Sequence, residues 1–317
     1  MVLRLSPALA FAMLVACGSP PAVDDEEPEV DAAVVVVDGA PDAVPPADTA
    51  VADALAELAA RLPAFSPGTD LSIAFIDLQT GERLAIAGDT PHVSASSAKA
   101  WWVAAALDLT TLAQVMPYGD PIFRNSDNSA AGSVIDLIGP NAVNTWMWNI
   151  GGMPSSALTQ WSYDRTRVAT NSPRVMGSDN YMTANDAVTF LARVYRDEIL
   201  AGAKGDQLVA WMTLSPNSGL GGWIPARLPT AVQTAAMHKA GWLPPGCCSD
   251  NAYYNTANDI GIVVAPDGRA YAIAILARRG TEYNARQQPF VELASCSIYR
   301  AFTHDTALDC TRTGDPL

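Results

Sequence analysis

Ser96-Ser97-Ala98-Lys99 opens an apolar helical run. On a helix, a hydroxyl and an amine three residues apart share one face, one turn apart. A serine hydroxyl is unreactive until a base stands beside it, and a lysine amine desolvated into its neutral form is such a base. Two further polar clusters follow: Ser126-Asp127-Asn128 and Lys239-Ala240-Gly241. The Ser-Asp-Asn tripeptide recurs at 178–180 and 249–251, and all three residue types favour turns. The first copy stands out because an apolar helical stretch follows it through Leu137, and the other two read as loops. Other chemistries find little support. There is no Gly-x-Ser-x-Gly elbow, no phosphate-cradling glycine loop and no Cys-x-x-Cys pair, and His92, His238 and His304 are far apart.

The elements that must position these residues are readable from periodicity. Residues 48–62 repeat apolar positions at three and four, which predicts a helix ended by Ser66-Pro67-Gly68. Residues 71–78 and 83–87 read as a hairpin around Thr80-Gly81. From Ala98 to Leu107 the pattern is helical, and helix or loop continues for about a hundred residues, with breakers at Pro117, Gly139-Pro140, Gly151-Gly152 and Pro173. Thr183 with Asp186 predicts an N-cap for a helix over 187–196. Strand character returns at 235–242, where alternation turns His238 away from the face of Lys239 and gives it a structural reading. A second hairpin, 260–265 and 270–277, turns on Pro266-Asp267-Gly268, and 290–302 reads as a last helix. Strands at both ends of a helical middle imply an α+β fold: one sheet built from distant pieces, with an inserted helical lobe at about 95–230.

The 317-residue chain carries a net charge of −14. Residues 1–17 combine Arg4, an apolar run and Leu14-Val15-Ala16-Cys17, the pattern of a lipoprotein signal ending at Cys17. Residues 18–50 hold nine acids, no Lys or Arg, and many prolines and small residues, as expected of a disordered, self-repelling linker with a reach on the order of 100 Å. From residue 51 onward 18 basic and 24 acidic residues remain, a balance of −6 that argues against nucleic acid as a partner. Residues 51–317 are long enough for one large-cored domain. An exported chain sits where disulfides persist, and adjacent cysteines rarely bridge each other. Two bridges joining Cys247 and Cys248 to Cys296 and Cys310, in either pairing, are therefore expected.

The order Ser-x-x-Lys, Ser-Asp-Asn, Lys-x-Gly resembles the penicillin-recognising serine enzymes, and class A β-lactamases most closely. The resemblance covers about residues 51–305. It implies a five-stranded antiparallel sheet flanked by terminal helices, a site between sheet and helical lobe, a β-lactam or peptidoglycan stem peptide as substrate, and no cofactor or metal. It implies roles as well. Ser96 becomes the nucleophile, Lys99 its base, and Ser126 the proton donor to the leaving nitrogen. Asn128 holds the substrate amide and Lys239 attracts its carboxylate. Gly241 lets substrate lie along the strand, and the Trp242 N–H joins that of Ser96 in an oxyanion hole. Two departures stand out. Ala240 replaces a hydroxyl residue that helps bind the carboxylate. Family spacing from Ser126 puts Trp161 at a tryptophan position and Ser162 where a deacylating glutamate belongs, which leaves Asp164 as a tentative base or as a partner of Arg165 or Arg167. The expected protein is thus a β-lactamase-like serine hydrolase; the alternatives are a D-Ala-D-Ala carboxypeptidase or transpeptidase, or a slow-turnover binding protein. The further expectations are a monomer, tethered through lipidated Cys17 to the periplasmic face of the envelope, at the outer membrane.

Overall fold

The computed structural model describes residues 49–161, 167–172, 179–245 and 255–316. Helix α1 (Ala50–Phe65) leads into strands β1 (Asp70–Asp77), β2 (Arg83–Ile86) and the short β3 (His92–Val93). A 3-10 turn (Ala95–Ala98) enters α2 (Lys99–Leu109), followed by α3 (Leu112–Asn125), α4 (Asn128–Ile138) and α5 (Pro140–Trp146). Strand β4 (Tyr181–Met182) pairs with β3 and precedes α6 (Ala184–Tyr195), α7 (Ala203–Met212) and α8 (Thr230–Gln233). Strands β5 (Met237–Leu243), β6 (Thr256–Val264) and β7 (Ala270–Arg278), helix α9 (Gln288–Thr303) and π-helical turns at Met147–Gly151 and Tyr283–Gln287 complete the described elements.

The sheet runs β2-β1-β7-β6-β5, antiparallel throughout. It is the five-stranded α+β architecture expected, with the helical middle inserted between β2 and β5. β7 shows why it holds together. All nine of its residues are buried, because both faces are covered. Tyr271, Ile273, Ile275 and Ala277 join the core under α1 and α9, whereas Ala270, Ala272, Ala274 and Leu276 join the core of the helical lobe. Alternation along one strand thus feeds two cores. The alanines on the lobe side leave room for α6, which packs on β1 and β7.

Helix α2 is the axis of the lobe. Its residues from Lys99 to Leu107 are all buried, so it shows no polar face. The one charge it carries into that core is Lys99, 2% exposed. A lysine there is costly unless it is hydrogen-bonded or neutral. The site supplies both remedies.

Two sequence expectations need correction. Pro117, read as a breaker, lies inside α3 rather than ending it, and Pro121 lies there too. A proline removes one helical N–H, but Pro117 and Ala113 are exposed, so the carbonyl left without its donor faces water. The cysteine pairing also differs. Cys296 on α9 bonds to Cys310, with Cα atoms 5.5 Å apart. Beyond α9, His304 adopts a left-handed conformation (φ 56°) and turns the chain back along the helix, which brings these two together. Cys247 and Cys248 lie outside the described residues, as do the expected signal and linker. Elsewhere the boundaries move by a few residues: α6 begins at Ala184, with Thr183 accepting from the Asp186 N–H at 3.2 Å.

Candidate active site

The site begins with a tight turn. Ala95 takes a positive φ of 46°, unusual for a residue with a Cβ, and the chain then coils through the 3-10 turn that carries Ser96. Three contacts hold this turn. The Ser97 hydroxyl donates to Ser94 O at 2.5 Å. Asn258 on β6 donates its amide to Val93 O at 2.7 Å. From β5, Gly241 presses against the turn so closely that a Cβ there would lie 2.4 Å from Ser97 N and 2.7 Å from both Ser96 N and Ser94 O. The glycine is needed because two backbones meet at that point. The Ser96 backbone N–H is therefore wedged between a helix start and the edge strand of the sheet.

One turn later Lys99 reaches the start of α4. Its Nζ donates to Ser126 O and to Asn128 Oδ1, each at 2.5 Å, and lies 3.2 Å from Ser126 Oγ. Burial, reinforced by the charge of Lys239 and opposed by Asp127, pulls the Lys99 pKa down to about 7. A neutral amine has two N–H groups and one lone pair. The Ser126 carbonyl and the Asn128 carboxamide can take both donors, leaving the lone pair to accept a proton.

Ser126 joins α3 to α4 in a left-handed conformation (φ 54°). Asp127 caps α4 by accepting the Ala130 N–H at 2.8 Å. The Ser126 hydroxyl also accepts from Lys239 Nζ at 3.2 Å. Burial lowers the Lys239 pKa to about 8, and the charge of Asp259 acts against that. A hydroxyl that accepts from Lys239 keeps its own O–H to donate. His238, on the opposite face of β5, is buried against Asp259 (Nδ1 to Oδ1 3.0 Å), in line with its structural reading.

A cavity of about 1040 Å³ opens here. Ser96, Lys99, Ser126, Asn128 and Trp242 all line it, so residues drawn from three distant stretches of sequence meet in one cleft. Lys239 reaches it through the Ser126 hydroxyl, and Gly241 acts through its contact with the Ser96 turn. Ala240 does not line it. Its methyl is 1% exposed and packs in the core under α9, while its carbonyl accepts from Lys239 Nζ at 2.8 Å. Ala240 is thereby corrected from a substrate contact to a core residue with a backbone role, because its Cβ points off the cavity side of β5.

Sequence reasoning missed part of the wall. Asp136, Asp179 and Asn180 line the same cavity, together with Trp161 and Arg167. Asn180, read from sequence as a turn residue, accepts the N–H groups of Thr159 (2.6 Å) and Gln160 (3.0 Å) and donates to Gln160 O (2.7 Å). It cinches together the two ends of the 160–179 segment. Arg167 pairs with Asp136 at 2.7 Å. Ser162, Asp164 and Arg165 lie outside the described residues.

Such a frame, a five-stranded sheet and helical lobe meeting at Ser-x-x-Lys, Ser-Asp-Asn and Lys-x-Gly, defines the β-lactamase and transpeptidase fold. Residues 122–302 match the beta-lactamase enzyme family (Beta-lactamase2), more than half of the chain, and the chain belongs to that family. No curated protein sequence matches it. Solved structures share the fold at low identity. PBP-A is 20% identical with a TM-score of 0.61 over 80% of this chain and 96% of its own. A PBP-A mutant in an acyl-enzyme complex with penicillin G is 21% identical, with a TM-score of 0.61 over 81% and 97%. The class A beta-lactamase from Mycobacterium abscessus is 20% identical, with a TM-score of 0.61 over 79% and 99%.

Proposed function

We propose that this protein is a serine acyl-transfer hydrolase that opens β-lactam amide bonds through an acyl-enzyme on Ser96. The observation that carries the reading is the convergence on Ser126: its hydroxyl oxygen lies 3.2 Å from both Lys99 Nζ and Lys239 Nζ, two amines whose pKa values burial lowers, in the cavity that Ser96 lines. The Ser96 oxygen bonds to the lactam carbonyl carbon while its proton passes to the Lys99 lone pair. The carbonyl oxygen gains negative charge, and the Ser96 and Trp242 N–H groups are the oxyanion donors in this reading. As the carbon–nitrogen bond breaks, the Ser126 O–H gives its proton to the nitrogen and is reprotonated from Lys99, so the proton that left Ser96 ends on the leaving group. Water then releases the acyl group. Asn128 and Lys239 orient the substrate amide and carboxylate.

Deacylation is the slow half in this reading. A serine at 162 is no general base, and Asp164 is the carboxylate nearest to it in sequence. Of the two described carboxylates lining the cavity, Asp136 is held by Trp161 and Arg167, and Asp179 accepts the Asn180 backbone N–H at 2.8 Å. Serine in place of the glutamate at 162 is what favours the second reading, a penicillin-binding peptidase or sensor that acylates readily. The tethered, exported form expected from residues 1–50 suits either one. Purified protein mixed with a chromogenic cephalosporin and with a fluorescent penicillin separates them: sustained colour release means a β-lactamase, and stable labelling without turnover means a penicillin-binding peptidase or sensor. Neither signal, with Ser96→Ala behaving as wild type, overturns both.

A further inference from the structure

Asn128, Gly132 and Asp136 recur every fourth residue along α4 and form one stripe, and all three line the cavity. The first serves the chemistry, since Asn128 accepts from Lys99. Two turns on, each Asp136 oxygen accepts from a different part of the 159–169 segment. Oδ1 takes the Trp161 indole N–H at 3.1 Å and Oδ2 takes Arg167 Nη1 at 2.7 Å. Between them, Trp161 and Arg167 come up to the helix at Gly132: a Cβ there would be in ordinary contact, 3.7 Å from Arg167 Nη1 and 3.8 Å from Trp161 O. The segment is also tied to itself, Trp161 N–H to Arg167 O at 3.2 Å and Ala169 N–H to Thr159 O at 2.8 Å. The Asp136 carboxylate thus holds two side chains of the cleft wall on the helix that carries Asn128.

We infer that Asp136 is a positioning residue for substrate. By fixing the Trp161 indole and the Arg167 guanidinium on α4, it sets that wall at a constant distance from Asn128 and Lys99, so that substrate is held where Ser96 reaches it. The inference rests on the acyl-transfer reading above. Stability does not explain the arrangement, because the Arg167–Asp136 pair is about half exposed (51% and 44%) and such pairs add little. A misplaced wall acts instead on substrate alignment, where displacements near 1 Å are costly.

The test follows acylation by a fluorescent penicillin across a range of concentrations, alongside thermal melting. Asp136→Ala is expected to raise the half-saturating concentration roughly tenfold or more, with a smaller change in the limiting rate and a melting midpoint within a few degrees of wild type. Trp161→Phe keeps the ring and loses the donor, so the double variant should be no worse than Asp136→Ala alone. Should the alanine variant not fold, Asp136→Asn keeps the side chain's shape and is read the same way. Wild-type concentration dependence in the Asp136 variant, a loss explained by melting alone, or effects that multiply in the double variant would each overturn the inference. If wild type is not labelled at all, the acyl-transfer reading has failed, and the inference falls with it.

Discussion

Replacing Gly241 with alanine probes the meeting of β5 with the nucleophile turn. A Cβ at 241 would stand 2.4 Å from Ser97 N and 2.7 Å from Ser96 N and Ser94 O, and all three are backbone atoms. Ordinary contact begins near 3.4 Å, so strand and turn must separate by about 1 Å, with no side chain free to rotate away. The turn is already fixed by Asn258 on Val93 O and by the Ser97 hydroxyl on Ser94 O, so the displacement falls on Ser96. Overpacking of this kind costs about 1–3 kcal/mol of stability. The effect on chemistry is larger, because a reacting oxygen and an oxyanion N–H moved by that distance lose on the order of a hundredfold in rate. Stopped-flow acylation by a fluorescent penicillin, together with urea unfolding, reads both quantities. A Gly241→Ala protein that acylates at the wild-type rate would refute the tight junction and the role given to the Ser96 N–H.

Two further predictions follow from buried ionisable groups. Because the folded Lys99 pKa is about 7, acylation should rise as pH increases through 7 and level off above it, and Lys99→Arg should abolish the rise along with most of the activity; a pH-independent rate between about 5.5 and 8.5 would count against the amine as base. Asp186 is 6% exposed and accepts from Ser155 N and Ser156 Oγ, each at 2.8 Å, yet burial raises its pKa to about 6. The fold therefore binds this proton more tightly than the unfolded chain does. Its contribution to stability should grow as pH falls from above 6 toward 4, by up to about 3 kcal/mol, and Asp186→Asn should remove that component; parallel stability curves for the two proteins would contradict it.

How much was legible beforehand depended on how locally each feature is encoded. The sheet was readable because β1 and β7 carry their apolar pattern within eight or nine residues and their turns use Gly and Asp. Ser96, Lys99, Ser126 and Asn128 were readable because short spacings put them on neighbouring turns. Asp136 was not: it is a single aspartate on a helix, and its partners lie 25 and 31 residues away. Asn180 was read as a turn former, since nothing in a tripeptide says that its amide will bridge back twenty residues to Gln160. Pairing of Cys296 with Cys310 depended on where the chain turns after α9, which is set by a left-handed His304 that no pattern announces. Ala240 was misjudged because edge-strand alternation decides which methyl faces the cavity, and family position does not.

The most direct test is the mass of the protein after brief exposure to benzylpenicillin, followed by digestion to locate the adduct. Ring opening expels no fragment, so the expected result is a gain equal to the whole penicillin on the peptide containing Ser96, absent in Ser96→Ala. An adduct on any other residue, or the same adduct in the Ser96→Ala protein, would contradict Ser96 as the nucleophile.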